Sequence, residues 1–96
     1  MPAWFVVTAR VHDREAFVQN YAGAAAKLTA EYGGTYVLRG PSATQLEGEG
    51  NEGASVVVTQ WPDRETALRF WNSPEYTALK KAREGLADIS VTLIGD

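Results

Sequence analysis

The order of its β-like and helical segments is the feature that most limits how this chain can fold. Four segments are rich in β-branched and aromatic residues, which is typical of strands. They are Trp4–Val11, Thr35–Arg39, Ala54–Trp61 and Ile89–Ile94, with Thr44–Glu47 interpreted as a short extension of the second. One helical pattern lies between the first and second strands, and another lies between the third and fourth.

The ends of both helices are marked by local signals. Asp13 is predicted to cap the first helix, because its carboxylate can accept hydrogen bonds from the free N–H groups of the first turn. Gly33-Gly34 is predicted to end it, since glycine adopts the left-handed cap conformation without a Cβ clash. Pro62-Asp63 opens the second helix. Ser73-Pro74-Glu75 restarts it with a capping serine and a proline at the first helical position.

Strand, helix, strand, strand, helix, strand is the order of a ferredoxin-like α+β sandwich. With right-handed crossovers, two such βαβ halves give a four-stranded antiparallel sheet with two helices on one face. A chain of 96 residues is long enough for one hydrophobic core. The sequence therefore predicts a single βαββαβ domain over residues 1–96.

The alternation of side chains along each strand predicts which residues share a face of the sheet. One set is almost wholly apolar and is expected to pack under the helices: Phe5, Val7, Ala9, Val11, Tyr36, Leu38, Val56, Val58, Ile89, Val91 and Leu93. The opposite, mixed set is Trp4, Val6, Thr8, Arg10, Thr35, Val37, Arg39, Val57, Thr59, Trp61, Ser90, Thr92 and Ile94. A face this apolar is expected to meet a second copy in a C2 homodimer, with its polar groups around an interior cavity.

Composition excludes several classes of function. The formal net charge is −3, which does not favour nucleic acid as a partner. No apolar run approaches the ~20 residues of a membrane helix, and the start lacks the positive charge of a signal peptide, so we expect a cytoplasmic protein without a membrane partner. One histidine and no cysteine cannot form the usual zinc sites. No metal and no cofactor are predicted.

Several motifs resemble one bacterial family, the domain of unknown function 1330, within the dimeric α/β-barrel superfamily. They are GGTYVLRG from Gly33 to Gly40, LEG from Leu46 to Gly48, VVV from Val56 to Val58 followed by Trp61-Pro62, and WNSPEY from Trp71 to Tyr76 with Leu79 and Arg83. The resemblance implies the ferredoxin-like fold and pairing of two sheets as a dimeric barrel, and it implies no settled activity. Some dimeric α/β barrels bind haem through a histidine late in the second helix, and this chain has none there.

Arg39 and His12 are the candidates for chemistry. Arg39 ends the second strand, where its guanidinium is suited to bind an anion; alternatively, it forms an ion pair within the chain or across the dimer, with Glu47 as one candidate partner. His12 is the only histidine and a weak candidate for a general base, although its position between strand and helix is more typical of a solvated loop residue.

Aromatic residues and a second arginine complete the candidate site. Tyr36, Trp71 and Tyr76 either form the walls of a ligand site or belong to the core. Arg83 shares a helical face with Tyr76, so its stem can cover the core while its head reaches a carboxylate, the last helical carbonyls or a ligand. Two hypotheses follow. The first is a homodimer whose barrel cavity binds a small anionic or carbonyl-bearing molecule, with cofactor-independent chemistry as a candidate activity; the alternative is a non-catalytic dimerisation or interaction module.

Overall fold

The computed structural model describes residues 1–95 and has the ferredoxin-like α+β fold. Its strands are β1 (Ala3–Val11), β2 (Thr35–Gly40), β3 (Ser55–Trp61) and β4 (Ala87–Gly95). They form one antiparallel sheet in the order β2-β3-β1-β4. The predicted strand order along the chain is confirmed, but residues 44–47, predicted as an extension of β2, form no strand because the chain there turns through the loop after Pro41.

The helical segments begin where the capping residues predict. The first region comprises α1 (Arg14–Phe17), a π-helical turn (Val18–Ala22) and α2 (Gly23–Glu31); the second comprises α3 (Arg64–Trp71) and α4 (Pro74–Ala82). Asp13, Asp63 and Ser73 each accept a hydrogen bond from the backbone N–H three residues later, at 3.1, 2.7 and 3.1 Å. Gly33 follows α2 with a φ of 96°, the left-handed conformation predicted for the end of that helix.

Aromatic side chains dominate the core between the sheet and the second helical region. Trp61 is 1% exposed, and its ring centroid lies 5.8 Å from that of Phe5 and 4.8 Å from that of Phe70. Ala67 of α3 is fully buried, and Tyr76 of α4 packs on Phe70 with the ring centroids 4.4 Å apart. Trp61 also donates a hydrogen bond from Nε1 to Thr59 Oγ1 at 2.9 Å, so its polar atom is satisfied inside the core.

The pairing of β3 reverses the predicted faces of that strand. Val57 lies opposite Val7 and Thr59 lies opposite Phe5, and directly opposed residues of antiparallel strands share a face. Val57, Thr59 and Trp61 therefore point to the helices, and Val56 and Val58 point away. The prediction was wrong here because a run of three valines has no alternation of polar and apolar residues. Nothing in the run indicates which of its side chains face the core.

An irregularity in β2 moves Arg39 to the helix side of the sheet. Tyr36 is paired with Thr59, but Leu38 is paired with Val58 and Arg39 with Val57, so the register shifts between Tyr36 and Leu38. An extra residue in one strand reverses the side-chain alternation beyond it. Arg39 thus shares the helix face with Tyr36, and Leu38 lies on the opposite face. The sequence prediction had both residues on the wrong side.

The remaining strands follow the predicted alternation. In the β1–β4 pair, Phe5, Val7 and Ala9 lie opposite Leu93, Val91 and Ile89 on the helix face. The other side of the sheet, here called the open face, carries Trp4, Val6, Thr8, Arg10, Leu38, Val56, Val58, Ser90, Thr92 and Ile94. None of the helices between residues 1 and 95 is long and apolar enough to cross a membrane.

Candidate functional site

A cavity of about 410 Å³ lies between the helix face of the sheet and the first helical region. Its floor consists of side chains from all four strands, including Val7, Tyr36, Val57 and Val91. Phe70 and Trp71 of α3 close one side. Because these walls are mostly apolar, this helix-face cavity suits a small molecule with substantial hydrocarbon or aromatic surface.

The roof of the cavity depends on the π-helical turn. Eight residues of the first helical region line the cavity at four-residue intervals: Arg14, Val18, Ala22 and Ala26 in one row, and Phe17, Tyr21, Ala25 and Thr29 in the other. In a straight α-helix each four-residue step rotates the side chain by about 40° away from its row. A π turn winds more residues into one turn and offsets this drift, so both rows stay over the sheet.

Two tyrosines and an arginine form a polar cluster in the cavity wall. The hydroxyl oxygens of Tyr21 and Tyr76 lie 2.6 Å apart. Arg83, which follows α4, donates from Nη1 to both oxygens, at 3.2 and 3.3 Å. Burial raises the pKa of Tyr21 far above its ordinary value, and the neighbouring Tyr76 adds to this rise, while Arg83 partly opposes it. Tyr21 is therefore an uncharged hydrogen-bonding group at neutral pH.

Two further arginines lie where the cavity opens to solvent. Arg14 and Arg39 are exposed cavity-lining residues, as are Val18 and Pro41, and these four mark the mouth. The Arg39 guanidinium carbon lies 3.9 Å from the centroid of the Tyr36 ring, which is a cation–π contact. Burial raises the pKa of Tyr36, although Thr29 and Arg39 partly oppose the rise. The mouth therefore carries positive charge beside an aromatic wall.

The charges around the cavity have one sign. Among its lining residues within the described range 1–95 there are three arginines but no aspartate, glutamate or histidine. No carboxylate in that range lies within 4.0 Å of Arg14, Arg39 or Arg83 nitrogens as an ion pair. The same part of the chain has no cluster of three His, Cys, Asp or Glu side chains that could hold a metal ion. Electrostatically, the cavity favours an anion.

Five of the predicted site residues lie together in the cavity lining: Tyr36, Arg39, Trp71, Tyr76 and Arg83. Two lie elsewhere. His12 is exposed, with Nε2 3.0 Å from Asp88 Oδ2. Glu47 is exposed in the loop before β3, where its backbone oxygen accepts a hydrogen bond from the Gln45 side chain. Within residues 1–95 Arg39 forms no ion pair with Glu47 of the same chain, and the predicted alternative of a pair across a dimer stays a prediction.

Arg14 and Thr29 are cavity residues that the sequence prediction missed. Arg14 follows the capping Asp13, a position typical of a solvated side chain in the first turn. The available signal was its four-residue spacing from Val18, Ala22 and Ala26, which repeats the spacing of the Phe17 row. That spacing becomes informative only when the helix is known to contain a π turn.

The chain is similar to one protein family and to several solved structures. The profile of the family described as "Domain of unknown function (DUF1330)" matches residues 2–96. Among curated proteins there is no match. Among solved structures, a protein of unknown function from Rhodopseudomonas palustris is similar at a TM-score of 0.80, with 18% identity over 99% of this chain and 82% of that one.

Two solved structures with a similar fold are described as oxygenases. SnoaB, a cofactor-independent oxygenase from Streptomyces nogalater, has a TM-score of 0.68 and 22% identity over 99% of this chain and 92% of that one. A candidate antibiotic biosynthesis monooxygenase from Caulobacter crescentus has a TM-score of 0.61 and 16% identity over 95% of this chain and 87% of that one. At these identities the comparison establishes a common fold.

Proposed function

We propose that this chain, which belongs to the DUF1330 family, binds a small, largely apolar molecule with an anionic or carbonyl group in the helix-face cavity. The observation that carries the proposal is the charge of the lining. Arg14, Arg39 and Arg83 line the cavity, and no lining residue between 1 and 95 is acidic. Guanidinium groups that lack a protein carboxylate are suited to bind an anionic ligand group.

The size and walls of the cavity support the same class of ligand. Its volume of about 410 Å³ is within the range of small-molecule sites. Phe70, Trp71 and the valines of the floor offer apolar surface, whereas the arginines at the mouth offer charge. An aromatic carboxylate would place its ring against the walls and its carboxylate at Arg14 and Arg39.

A candidate activity is cofactor-independent chemistry on the bound molecule. The support for it is the fold that this chain shares with the cofactor-independent oxygenase SnoaB. Since one fold can carry many activities, binding is the primary proposal and catalysis is secondary.

The proposal includes a homodimer formed through the open face. Leu38 and Ile94 on that face are 47% and 50% exposed, and Trp4, Val6 and Val58 beside them are only half-buried. Contiguous apolar surface of this kind on a small chain favours an interface with a second copy. Size-exclusion chromatography with light scattering is expected to give twice the chain mass for the wild type and a monomer for Val58→Glu. A monomeric wild type at micromolar concentration would contradict the dimer.

Binding is tested with a thermal-shift screen of small carboxylates, quinones and phenols. Ligand binding to the folded state raises the melting temperature in proportion to the logarithm of ligand concentration over Kd. The wild type is expected to be stabilised by aromatic carboxylates, and Arg39→Ala is expected to lose this response. Arg69→Ala is the matched control, because Arg69 lies on the surface with Glu65 and does not line the cavity.

Two results would argue against the proposal. If no compound stabilises the wild type at millimolar concentration, the alternative of a non-catalytic interaction module is favoured. If Arg69→Ala weakens the response as much as Arg39→Ala does, the effect is a general one of net charge and does not locate the ligand at the mouth.

A further inference from the structure

The hydrogen-bond donors of the polar cluster exceed the acceptors that the protein offers them. Tyr21 and Tyr76 have two hydroxyl protons between them, and one of these is used in the 2.6 Å hydrogen bond that joins their oxygens. Arg83 only donates, so it cannot accept the other proton. Among residues 1–95 no further acceptor contacts either hydroxyl. One O–H of the pair is therefore free to donate.

The free O–H of the tyrosine pair can donate only into the cavity, because the side chains packed around the pair offer no acceptor. Tyr76 is packed against the rings of Phe70 and Trp71, at centroid distances of 4.4 and 5.4 Å, and Tyr21 against the ring of Phe17 at 5.0 Å. The phenylalanine side chains have no oxygen or nitrogen atom, and the indole nitrogen of Trp71 is a donor only. None of these side chains can therefore accept a hydrogen bond from the pair. Both tyrosines line the cavity.

Arg83 increases the strength of this donor. A hydroxyl that accepts a hydrogen bond from a guanidinium is polarised and donates more strongly to its own partner. Burial raises the pKa of Tyr21, so its hydroxyl stays protonated through the neutral range and acts as a donor and not as a phenolate.

We infer that Tyr21, Tyr76 and Arg83 form a second binding point that donates a hydrogen bond to a carbonyl or other acceptor oxygen of the ligand. This inference rests on the proposed function, since it concerns the same cavity. The ligand class it names is an aromatic molecule with two separated oxygen functions. An anionic group lies at the mouth with Arg14 and Arg39, and an acceptor oxygen lies at the tyrosine pair.

A matched pair of probes isolates the acceptor oxygen. 4-Benzoylbenzoate and 4-benzylbenzoate carry the same carboxylate and the same two rings, and they differ in a carbonyl or a methylene between the rings. Isothermal titration calorimetry of the wild-type protein is expected to give a Kd about tenfold lower for the benzoyl compound, the effect of one polarised hydrogen bond. Equal Kd values in the wild type would overturn the inference.

Tyrosine variants then assign the preference to the pair. Tyr21→Phe and Tyr76→Phe each leave one hydroxyl that can still donate, so each is expected to keep most of the tenfold preference. The double variant has no hydroxyl and is expected to bind both probes equally. Tyr32→Phe is the control, since the Tyr32 hydroxyl donates to Glu75 and lies outside the cavity lining. A preference that survives in the double variant would overturn the inference.

Infrared spectroscopy tests the inference on the wild-type protein alone, so the result does not depend on whether a variant folds. A carbonyl that accepts a hydrogen bond stretches at lower frequency, so ¹³C-carbonyl-labelled 4-benzoylbenzoate is expected to show a downward shift when bound to the wild type relative to an apolar solvent. An unshifted band for the bound probe would overturn the inference.

These outcomes separate the inference from the proposal beneath it. If both probes bind equally and Arg39→Ala weakens both, the proposed function stands and the tyrosine pair is not a binding point. If neither probe binds the wild type at millimolar concentration, the proposed binding of aromatic anions fails, and the inference fails with it.

Discussion

The two helical regions lie over the same sheet but pack on it in opposite ways. In the second region, α3 and α4 bury Ala67, Phe70 and Tyr76 against the strands. In the first region, α1 and the π turn, which span residues 14–22 of the described chain, leave every side chain at least partly exposed, Tyr21 being half-buried, and full burial begins at Ala25 of α2. The helix-face cavity occupies the space that the first region leaves open.

This difference separates stability from binding within one small domain. Close packing in the second region supplies dispersion contacts that a void cannot supply. The first region has fewer such contacts over residues 14–22, and Arg14, Val18 and Tyr21 there face a space of ligand size. We therefore expect substitutions in the part of the core that does not line the cavity, such as Trp61, to change mainly the free energy of unfolding, and substitutions at the cavity-lining positions of residues 14–22 to change mainly ligand binding.

The largest effect is expected at Trp61, the most buried large side chain of the core. Trp61→Ala should lower the free energy of unfolding by about 3–5 kcal/mol, because it removes the contacts to Phe5 and Phe70 and leaves a void. Urea denaturation measures this loss. Val18→Ala, in the exposed part of the cavity roof, should change the free energy by only about 0.5 kcal/mol. Similar losses at the two positions would remove the proposed difference between the regions.

Two glycines sharpen the comparison by responding in opposite directions. A Cβ at Gly34 would lie 2.6 Å from Trp61 Cζ2 and 2.8 Å from Thr29 Cγ2, so Gly34→Ala should destabilise the fold by about 1–3 kcal/mol. A Cβ at Gly23 would meet nothing closer than 3.9 Å, and Gly23→Ala should stabilise the helix by about 0.5–1 kcal/mol. Urea denaturation of both variants provides the signs. If Gly34→Ala were stabilised, the core around Trp61 would be less tightly packed than these Cβ distances indicate.

Alkaline pH tests the polar cluster at the boundary of the two regions. Tyrosine in the unfolded chain has a pKa of about 10, and burial raises the pKa of Tyr21 in the folded state. Above about pH 10, and below the raised pKa of the folded state, Tyr21 loses its proton in the unfolded chain but keeps it in the folded chain. The contribution of Tyr21 is therefore complete below pH 10 and decreases above it, by at most about 1.4 kcal/mol per pH unit.

Comparison with Tyr21→Phe isolates this effect from the other groups that titrate at high pH. The wild type should lose stability more steeply than the variant between pH 10 and pH 11.5 in urea denaturation series. Parallel pH profiles would show that Tyr21 ionises as easily in the folded chain as in the unfolded one, which contradicts its burial in the cluster.

The sequence predicted the fold well, because the signals that determine it are local and repeated. Asp13, Asp63 and Ser73 cap helices where capping residues are expected, and the β1–β4 register follows the alternation of Phe5, Val7 and Ala9. Each of these signals depends on a few neighbouring residues.

The candidate site was predicted less well, because its position depends on two departures from regular geometry. The irregularity in β2 places Arg39 under the helices. The sequence gives no sign of it, because positions 37 and 38 are valine and leucine and not glycine. The π turn aligns Arg14 with the cavity, and the sequence VQNYA carries no recognised signal for it. The predicted residues Tyr36, Trp71, Tyr76 and Arg83 nevertheless lie around one cavity, because Tyr36 lies on the helix face of the sheet and the other three lie on or directly after α3 and α4, which pack on that face.

The smallest effect is expected at His12, which tests where the binding region ends. His12 adjoins the first helical region, yet it lies outside the cavity lining and contacts Asp88 at the surface, where the two side chains are 54% and 78% exposed. An exposed pair of this kind contributes at most about 1 kcal/mol. His12→Ala should therefore leave the thermal-shift response to aromatic carboxylates unchanged, in contrast to Arg39→Ala. Loss of that response in His12→Ala would extend the binding region beyond the cavity to the β1–α1 junction, and closeness to the first helical region would then matter more than contact with the cavity.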